Sequence, residues 1–318
     1  KKLPPKLNIP EDLPDSKIIT ELTRKSNENI KNNFRYVDEL ENFRKRVVPE
    51  MDQINLLFPE YTPHNEKYHL KNLFNIADNL LEEPIIEKLN VVELFLLTIS
   101  LYGHDWGMAV SEKEKACIIA NEKNDNDDFV LLDNEQSEFS SFCKSKNIAP
   151  KDIDDDNWRE YVRQTHALRS GKRIKHYFET IDSGLAEYAS RICIGHYLDF
   201  YKLEDNNKFP TNYSIKSEVV NVKALTVYLR LVDLLDLADD RTPYILWKFI
   251  SPENKYSKME WEKHRSLRPI TFQNYPGGRF IQIDGSTEDH NVYYSLLDLQ
   301  KYVDEQYSQS KDILLRMS

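Results

Sequence analysis

Glycine is scarce in this chain, 8 of 318 residues, and long stretches carry apolar residues at helical spacing. Together these argue for a mainly α-helical body. Cysteine is rarer still. Cys117, Cys143 and Cys193 stand singly, in odd number and with no CxxC spacing, which excludes a zinc ribbon, a thioredoxin motif and a disulfide framework, and suits a reducing compartment. No apolar run reaches the roughly 20 residues a bilayer requires. The longest candidate, VVELFLLTISLYG, is short and carries Glu93. The opening KKLPPKLNIPEDLPDS has no apolar signal-peptide core, so the chain is expected to be cytoplasmic. It begins without methionine and is expected to be a piece of something longer. A basic excess is also missing. The net charge of -10 opposes broad adsorption to nucleic acid or anionic membrane and leaves room only for local basic sites.

What is present is an ordinary globular content, 40% apolar, in a chain long enough for a sizeable core. Residues 1–14, with four prolines, read as an extended arm. Two helices are expected between Asp15 and Phe58, and another after Pro63 in which Leu70, Leu73, Phe74, Ile76, Ala77 and Leu80 recur on one face. EKLNVVELFLLTISLYGHD reads as a buried helix, and NEKNDNDDFVLLDNEQSEF as an acidic loop running into an exposed one. WREYVRQTHALRSGKRIKHYF, LAEYASRICIGHYLDFY and SEVVNVKALTVYLRLVDLLDLADDR read as three more helices. Residues 246–291 form an extension in which RPITFQNYPGGRFIQIDG predicts a β-hairpin, and an amphipathic helix closes the chain over 292–318. These last parts could cap a pocket, join two copies into a homo-oligomer or bridge to another module.

Six polar residues fall inside apolar helices: His69, the adjacent His104 and Asp105, His166, His196 and Asp233. A carboxylate or imidazole in a dry interior is costly unless bonded, paired or ligating a cation, and one metal site would meet that cost for all six. For Asp233, set in LRLVDLLDL, the alternative is an ion pair with Arg230 three residues earlier. His104 could be a helix C-terminal histidine and Asp105 a turn aspartate. His166 and His196 could each be a buried histidine bonded to a carbonyl. Cys193, three before His196, reads as a small core residue.

The order His69, then HDWGM with His104 and Asp105, then HALRS, then RLVDLLDLADDR with Asp233, resembles the HD-domain superfamily of metal-dependent phosphohydrolases, and specifically its HD-CE type, often joined to an Hsp90-like ATPase module. The resemblance spans residues 15 to 245 and implies an all-α HD-domain helical bundle as the core. It implies His69, His104, Asp105 and Asp233 as ligands of one metal and His166 with His196 as ligands of a second, Asp105 bridging. Mixed imidazole and carboxylate donors suit one or two divalent ions of the Mn, Fe, Co, Ni or Zn kind. Such ions lower the pKa of a bound water and clamp phosphoryl oxygens, so His104 and Asp105 are also the expected catalytic pair and hydrolysis of a nucleotide or related phosphate ester the implied reaction. An Hsp90-like ATPase domain or partner is implied with it. No Gly-Tyr-Pro motif follows the HD pair, which disfavours a cyclic dinucleotide phosphodiesterase.

His64 competes with His69 as first ligand, but lies at the start of its helix and is expected either to line the pocket mouth or to sit exposed. Arg163, His166 and Arg169 share one helical face. Guanidinium groups bind phosphate in a fork, so Arg169 is the preferred substrate clamp, with Arg163 beside it and Lys172 and Arg173 as outer contacts. For Lys172, Arg173 and Lys175 a solvated basic helix end competes with that role. Asp236 shares nearly the same face as Asp233, with Asp239 and Asp240 following, and only the resemblance favours Asp233 as ligand. Glu66, Glu112 and Glu114 are minor candidates for general-base or supporting groups.

Overall fold

A computed structural model describes residues 9–29, 33–122, 129–237, 242, 244–253, 255–276 and 278–317. The first eight residues of the proline-rich arm, the acidic run 123–128, Asp239, Asp240 and Gly277 of the predicted turn lie outside the described residues.

The most hydrophobic segment forms the centre. Helix α5 (Val91–Gly103) is buried along its whole length and starts at a capping box, in which the Asn90 side chain accepts from the Val92 and Glu93 N–H groups while Glu93 reaches back to the Asn90 N–H. Around it pack α1 (Lys17–Glu28), α2 (Tyr36–Met51), α9 (Ser183–Gly195) and α10 (Val222–Leu234). Short α3 (Ile54–Leu57) leads to α4 (Lys71–Ile86). Helix α1 is pinned to α4 at its first turn, where Ser16 Oγ donates to Asp78 Oδ1 at 2.9 Å and the Lys17 N–H donates to Asp78 Oδ2 at 2.7 Å. Helices α6 (Glu112–Ala120) and α7 (Glu135–Ser145) follow, and the long α8 (Asp155–Glu179) lies against α9. The fold is all-α, with two small two-stranded antiparallel sheets.

Several local expectations change. Helix α7 is not wholly exposed, because Glu135, Phe139 and Cys143 are buried. The helix expected from Ser217 starts instead at Val222, capped by the Asn221 side chain on the Ala224 N–H. The residues before it, rich in β-branched valine, form β2 (Glu218–Val220), paired with β1 (Tyr213–Ile215). Lys216 and Ser217 both take positive φ, 49° and 68°, as a tight two-residue hairpin turn requires.

Within the extension, β3 (Thr271–Tyr275) and β4 (Gly278–Gln282) pair as expected, with Tyr275 opposite Gly278. Two helices not read from the sequence precede them, α11 (Tyr244–Ile250) and α12 (Lys255–Ser266). The terminal helix α13 (His290–Met317) packs on α10 and α12. Among the described residues no helix is long and apolar enough to cross a membrane.

Candidate metal centre

His69 lies on a wide turn, Glu66–Leu70, whose N–H groups bond five residues back, the Leu70 N–H donating to Asn65 O at 3.3 Å. Such widened turns recur at functional sites. This one delivers His69, fully buried, inward at the head of α4. His104 ends α5, and Asp105 follows with φ -101° and ψ 4°, between the helical and extended regions. The next residues make one tight turn, Trp106–Met108, pressed against α8. Gly107 permits that approach. A Cβ there would stand 2.1 Å from His166 O and 2.7 Å from Ser170 N, and its N–H donates to Ser170 Oγ at 2.7 Å. The HD turn and the histidine of α8 are thereby held together.

The two oxygens of Asp105 face two separate groups of imidazoles. Oδ2 is 3.3 Å from His104 Nε2 and 3.6 Å from His69 Nε2, and His104 Nε2 is 3.4 Å from Asp233 Oδ1. Oδ1 is 3.4 Å from His166 Nε2 and 3.9 Å from His196 Nε2, with those two nitrogens 3.2 Å apart. Donors about 2.1 Å from one ion stand roughly 3–3.5 Å from each other, so both groups have the spacing of a coordination shell. Each group could hold a metal ion.

All four imidazoles are held by Nδ1. His104 Nδ1 donates to Leu101 O at 3.2 Å, His166 Nδ1 to Arg163 O at 2.6 Å, His196 Nδ1 to Cys193 O, and His69 Nδ1 to Asp236 Oδ2 at 2.6 Å. Since a carbonyl or carboxylate can only accept, Nδ1 carries the proton and each Nε2 turns a lone pair inward. The Nε2 atoms of His69 and His104 are buried and make no hydrogen bond. Two orphaned lone pairs beside two carboxylates fit a cation.

The electrostatics agree. Burial pushes His104 down, but the carboxylates of Asp105 and Asp233 outweigh it and raise this imidazole well above its ordinary value. Burial alone would raise Asp105 and Asp233; the imidazoles, His104 foremost, instead hold both well below the usual carboxylate range. His196 is pushed down to about 4 by burial and by His104 and His166 beside it, so it is neutral and ready to donate a lone pair. Burial raises the Cys193 thiol to about 12, in keeping with an inert core residue.

Arg230 does not pair with Asp233. It donates to Gly195 O at 3.3 Å, to Leu198 O and to Gln306 Oε1 at 3.0 Å, and stacks over Phe200. Asp236 sits one layer behind the cluster. It is fully buried, grips His69 with one oxygen and accepts from Asn72 Nδ2 with the other. Its i+3 spacing from Asp233 was the one signal in the sequence for this support.

A cavity of about 250 Å3 reaches Asp105 and His166 from outside. His64 and Arg163 line it, with His64 Nε2 4.0 Å from Asp105 Oδ2 and its Nδ1 donating to Thr62 O at 2.6 Å. Ser257, Glu260 and His264 of α12 line the same cavity and had no counterpart in the sequence reading.

Arg169 and Lys172 lie elsewhere, against expectation. Arg169 is 0% exposed and committed to Glu114 Oε1 at 2.8 Å, to Glu135 Oε1 and to Thr165 Oγ1. Arg173 joins the same network, donating to Glu114 Oε2 at 2.9 Å and to Trp106 O and Ala109 O at 2.7 and 2.9 Å. Three residues further along a helix is about 300°, enough to turn Arg169 off the face of His166 once partners lie on the other side. Lys172 is partly exposed and pairs with Asp133, and Lys175 pairs with Glu187 at 2.8 Å. Glu66 is taken up by Arg44 at 2.7 and 2.9 Å, while Glu112 is exposed in the first turn of α6.

A search of the curated proteins and a search of the solved structures give no match. The family model described as HD-CE matches residues 58–309, from the segment before His69 to the terminal helix. A match over that much of the chain, enclosing every histidine and aspartate of the buried cluster, shows that the protein belongs to the HD-CE family.

Proposed function

We propose that the protein is a metal-dependent phosphohydrolase that cleaves a phosphoester or phosphoanhydride bond of a nucleotide or related phosphate. The observation that carries the reading is the division of Asp105, one oxygen toward His69 and His104 and the other toward His166 and His196. In this reading His69, His104, Asp105 and Asp233 hold one divalent transition ion and Asp105, His166 and His196 a second. Bound there, the ions supply an activated water and charge compensation for phosphoryl oxygens. The chain's own groups do the rest. Asp236 keeps the His69 lone pair inward, Gly107 lets the HD turn close on α8, and Arg163 and His64 at the mouth present cationic or hydrogen-bonding groups to an entering phosphate.

Elemental analysis of the purified protein together with phosphate release from a nucleotide panel tests this. Bound transition metal and release that vanish together in Asp105→Ala are expected; metal-free protein that still releases phosphate overturns it.

A second reading has its own observation. Arg230, on α10 one turn before Asp233, bonds Gly195 O at the end of α9, next to His196, and Gln306 of α13, so occupancy of the cluster has a mechanical route to the terminal helix. In that reading the cluster senses metal and nucleotide and reports to an Hsp90-like ATPase module or to a second copy of the chain. Metal-dependent nucleotide binding without any product release is its signature.

A further inference from the structure

We infer that α12 makes the cavity over the cluster a pocket for a compact phosphomonoester whose alcohol part carries hydroxyl groups, of the sugar-phosphate class, in preference to a nucleoside polyphosphate. The inference rests on the hydrolase reading above and narrows its substrate. Helix α12 is fixed in place by Trp261, which is 0% exposed and donates through Nε1 to Glu60 O at 2.8 Å. The wall it makes therefore belongs to the folded state. His264 is oriented by the device that orients the buried imidazoles, its Nδ1 donating to a backbone carbonyl, Leu237 O, at 2.8 Å.

Three properties of the cavity select the ligand. Its volume of about 250 Å3 lies below the ~300 Å3 at which pockets for drug-sized molecules begin. Beside Tyr61 and Met108, its lining beyond the cluster carries Glu60, Thr62, Ser257, Glu260 and His264, whose carboxylate, hydroxyl and imidazole groups are the set that recognises sugar hydroxyls. A nucleobase would want an aromatic platform, but the Tyr61 ring at the mouth is stacked on Phe58 with centroids 5.0 Å apart. The third property is charge. With its terminal phosphate at the cluster, beside Arg163 and His64, a polyphosphate would run its remaining phosphates toward Glu60 and Glu260, and like charges brought together reject a ligand. Both carboxylates are held as acceptors, Glu260 by Lys263 Nζ at 2.6 Å and Glu60 by the Glu253 N–H at 3.3 Å.

The test uses the full chain loaded with Mn2+ and three probes: ribose 5-phosphate, adenosine 5'-triphosphate and 4-nitrophenyl phosphate. Phosphate release is measured, and in parallel the melting temperature with each probe and with inorganic phosphate. The expected result is a kcat/KM for ribose 5-phosphate at least about tenfold above that for the triphosphate, narrowed in Glu260→Gln by relief of like charge. Ribose 5-phosphate should also raise the melting temperature more than inorganic phosphate does, and Ser257→Ala/Glu260→Ala should remove that excess while keeping the response to inorganic phosphate. Hydrolysis of 4-nitrophenyl phosphate with the triphosphate equal to or better than ribose 5-phosphate overturns the pocket assignment and leaves the hydrolase reading standing. The melting shift without release from any probe overturns the hydrolase reading and keeps the assignment of the pocket. Neither shift nor release overturns both.

Discussion

His166 and Arg169 leave helix α8 one turn apart and enter two buried polar clusters of opposite character. Around Arg169 the charges are closed on one another: Arg169 and Arg173 face Glu114 and Glu135, Tyr161 donates to Glu135, Arg169 also donates to Thr165 Oγ1, and Arg173 to two backbone carbonyls. Around His166 the groups are held from behind and left open in front, with the Nε2 atoms of His69 and His104 making no hydrogen bond and four imidazoles converging on one carboxylate. A closed network stabilises the fold it sits in. An open one is complete only with something added. Burial alone does not separate the two; satisfaction of each polar atom does.

The comparison breaks most visibly under substitution. Arg169→Ala leaves the buried Glu135 without a cationic partner and Glu114 with Arg173 alone, and is expected to cost about 3–5 kcal/mol in the metal-free protein, since the charge left on Glu135 is uncompensated. Whatever fraction still folds should keep its metal. Asp105→Ala should do the reverse: elemental analysis finds the metal gone, while chemical denaturation of the metal-free protein changes far less, because the imidazoles left behind can stay neutral and no uncompensated charge is buried. Equal losses of metal-free stability in the two variants would erase the distinction between the clusters.

A smaller effect is expected one layer out. Asp236→Asn keeps the shape but weakens the hold on His69 Nδ1, and metal affinity should fall by about 10–100-fold, the usual range for such supporting carboxylates. Titration with a competing chelator measures it.

Protons sharpen the same contrast. Without metal, the raised pKa of His104 means that a proton occupies the cluster near neutrality, and metal uptake must expel it. Uptake should therefore release protons, seen as a buffer-dependent heat in calorimetry, and affinity should fall as pH drops. For the metal-free protein the signs follow from linkage. The raised His104 contributes stability present below its unfolded value and lost as pH rises through its folded one. The depressed Asp105 and Asp233 contribute stability present above their unfolded values and lost toward acid. His196, lowered to about 4, takes stability away as pH falls from its ordinary value toward 4. Adding metal should move the stability gain toward higher pH, and a gain independent of pH would contradict proton displacement.

How much of this was legible in the sequence follows the range of the interactions. His104, Asp105 and Asp233 stand out because a polar residue in a run of leucine and valine is a local anomaly. The burial of α5 and the late hairpin are equally local. The commitment of Arg169 was illegible, since its partners Glu114 and Glu135 lie 55 and 34 residues away and look like surface glutamates. The wide turn at His69 left no pattern of its own. Helix α12 was hidden because its run KYSKMEWEKHRS is mostly polar, and only Trp261, buried on Glu60, reveals which face packs.

The smallest expected effect bears on Lys172, which the sequence made an outer contact of the substrate. Lys172 pairs with Asp133, which is 82% exposed, and faces a surface depression shared with Lys175 and Glu187. Exposed pairs of this kind contribute no more than about 1 kcal/mol, since side-chain ordering and screening offset most of the attraction. Lys172→Ala should therefore leave metal content unchanged, shift stability by less than that amount and leave KM for any phosphate substrate where it was. Arg163→Ala, at the mouth of the cavity over Asp105, should raise KM with metal content intact. If Lys172→Ala raised KM as much as Arg163→Ala, substrate would have to approach across the outer face of α8, and the cavity walled by α12 would lose its claim to be the entrance.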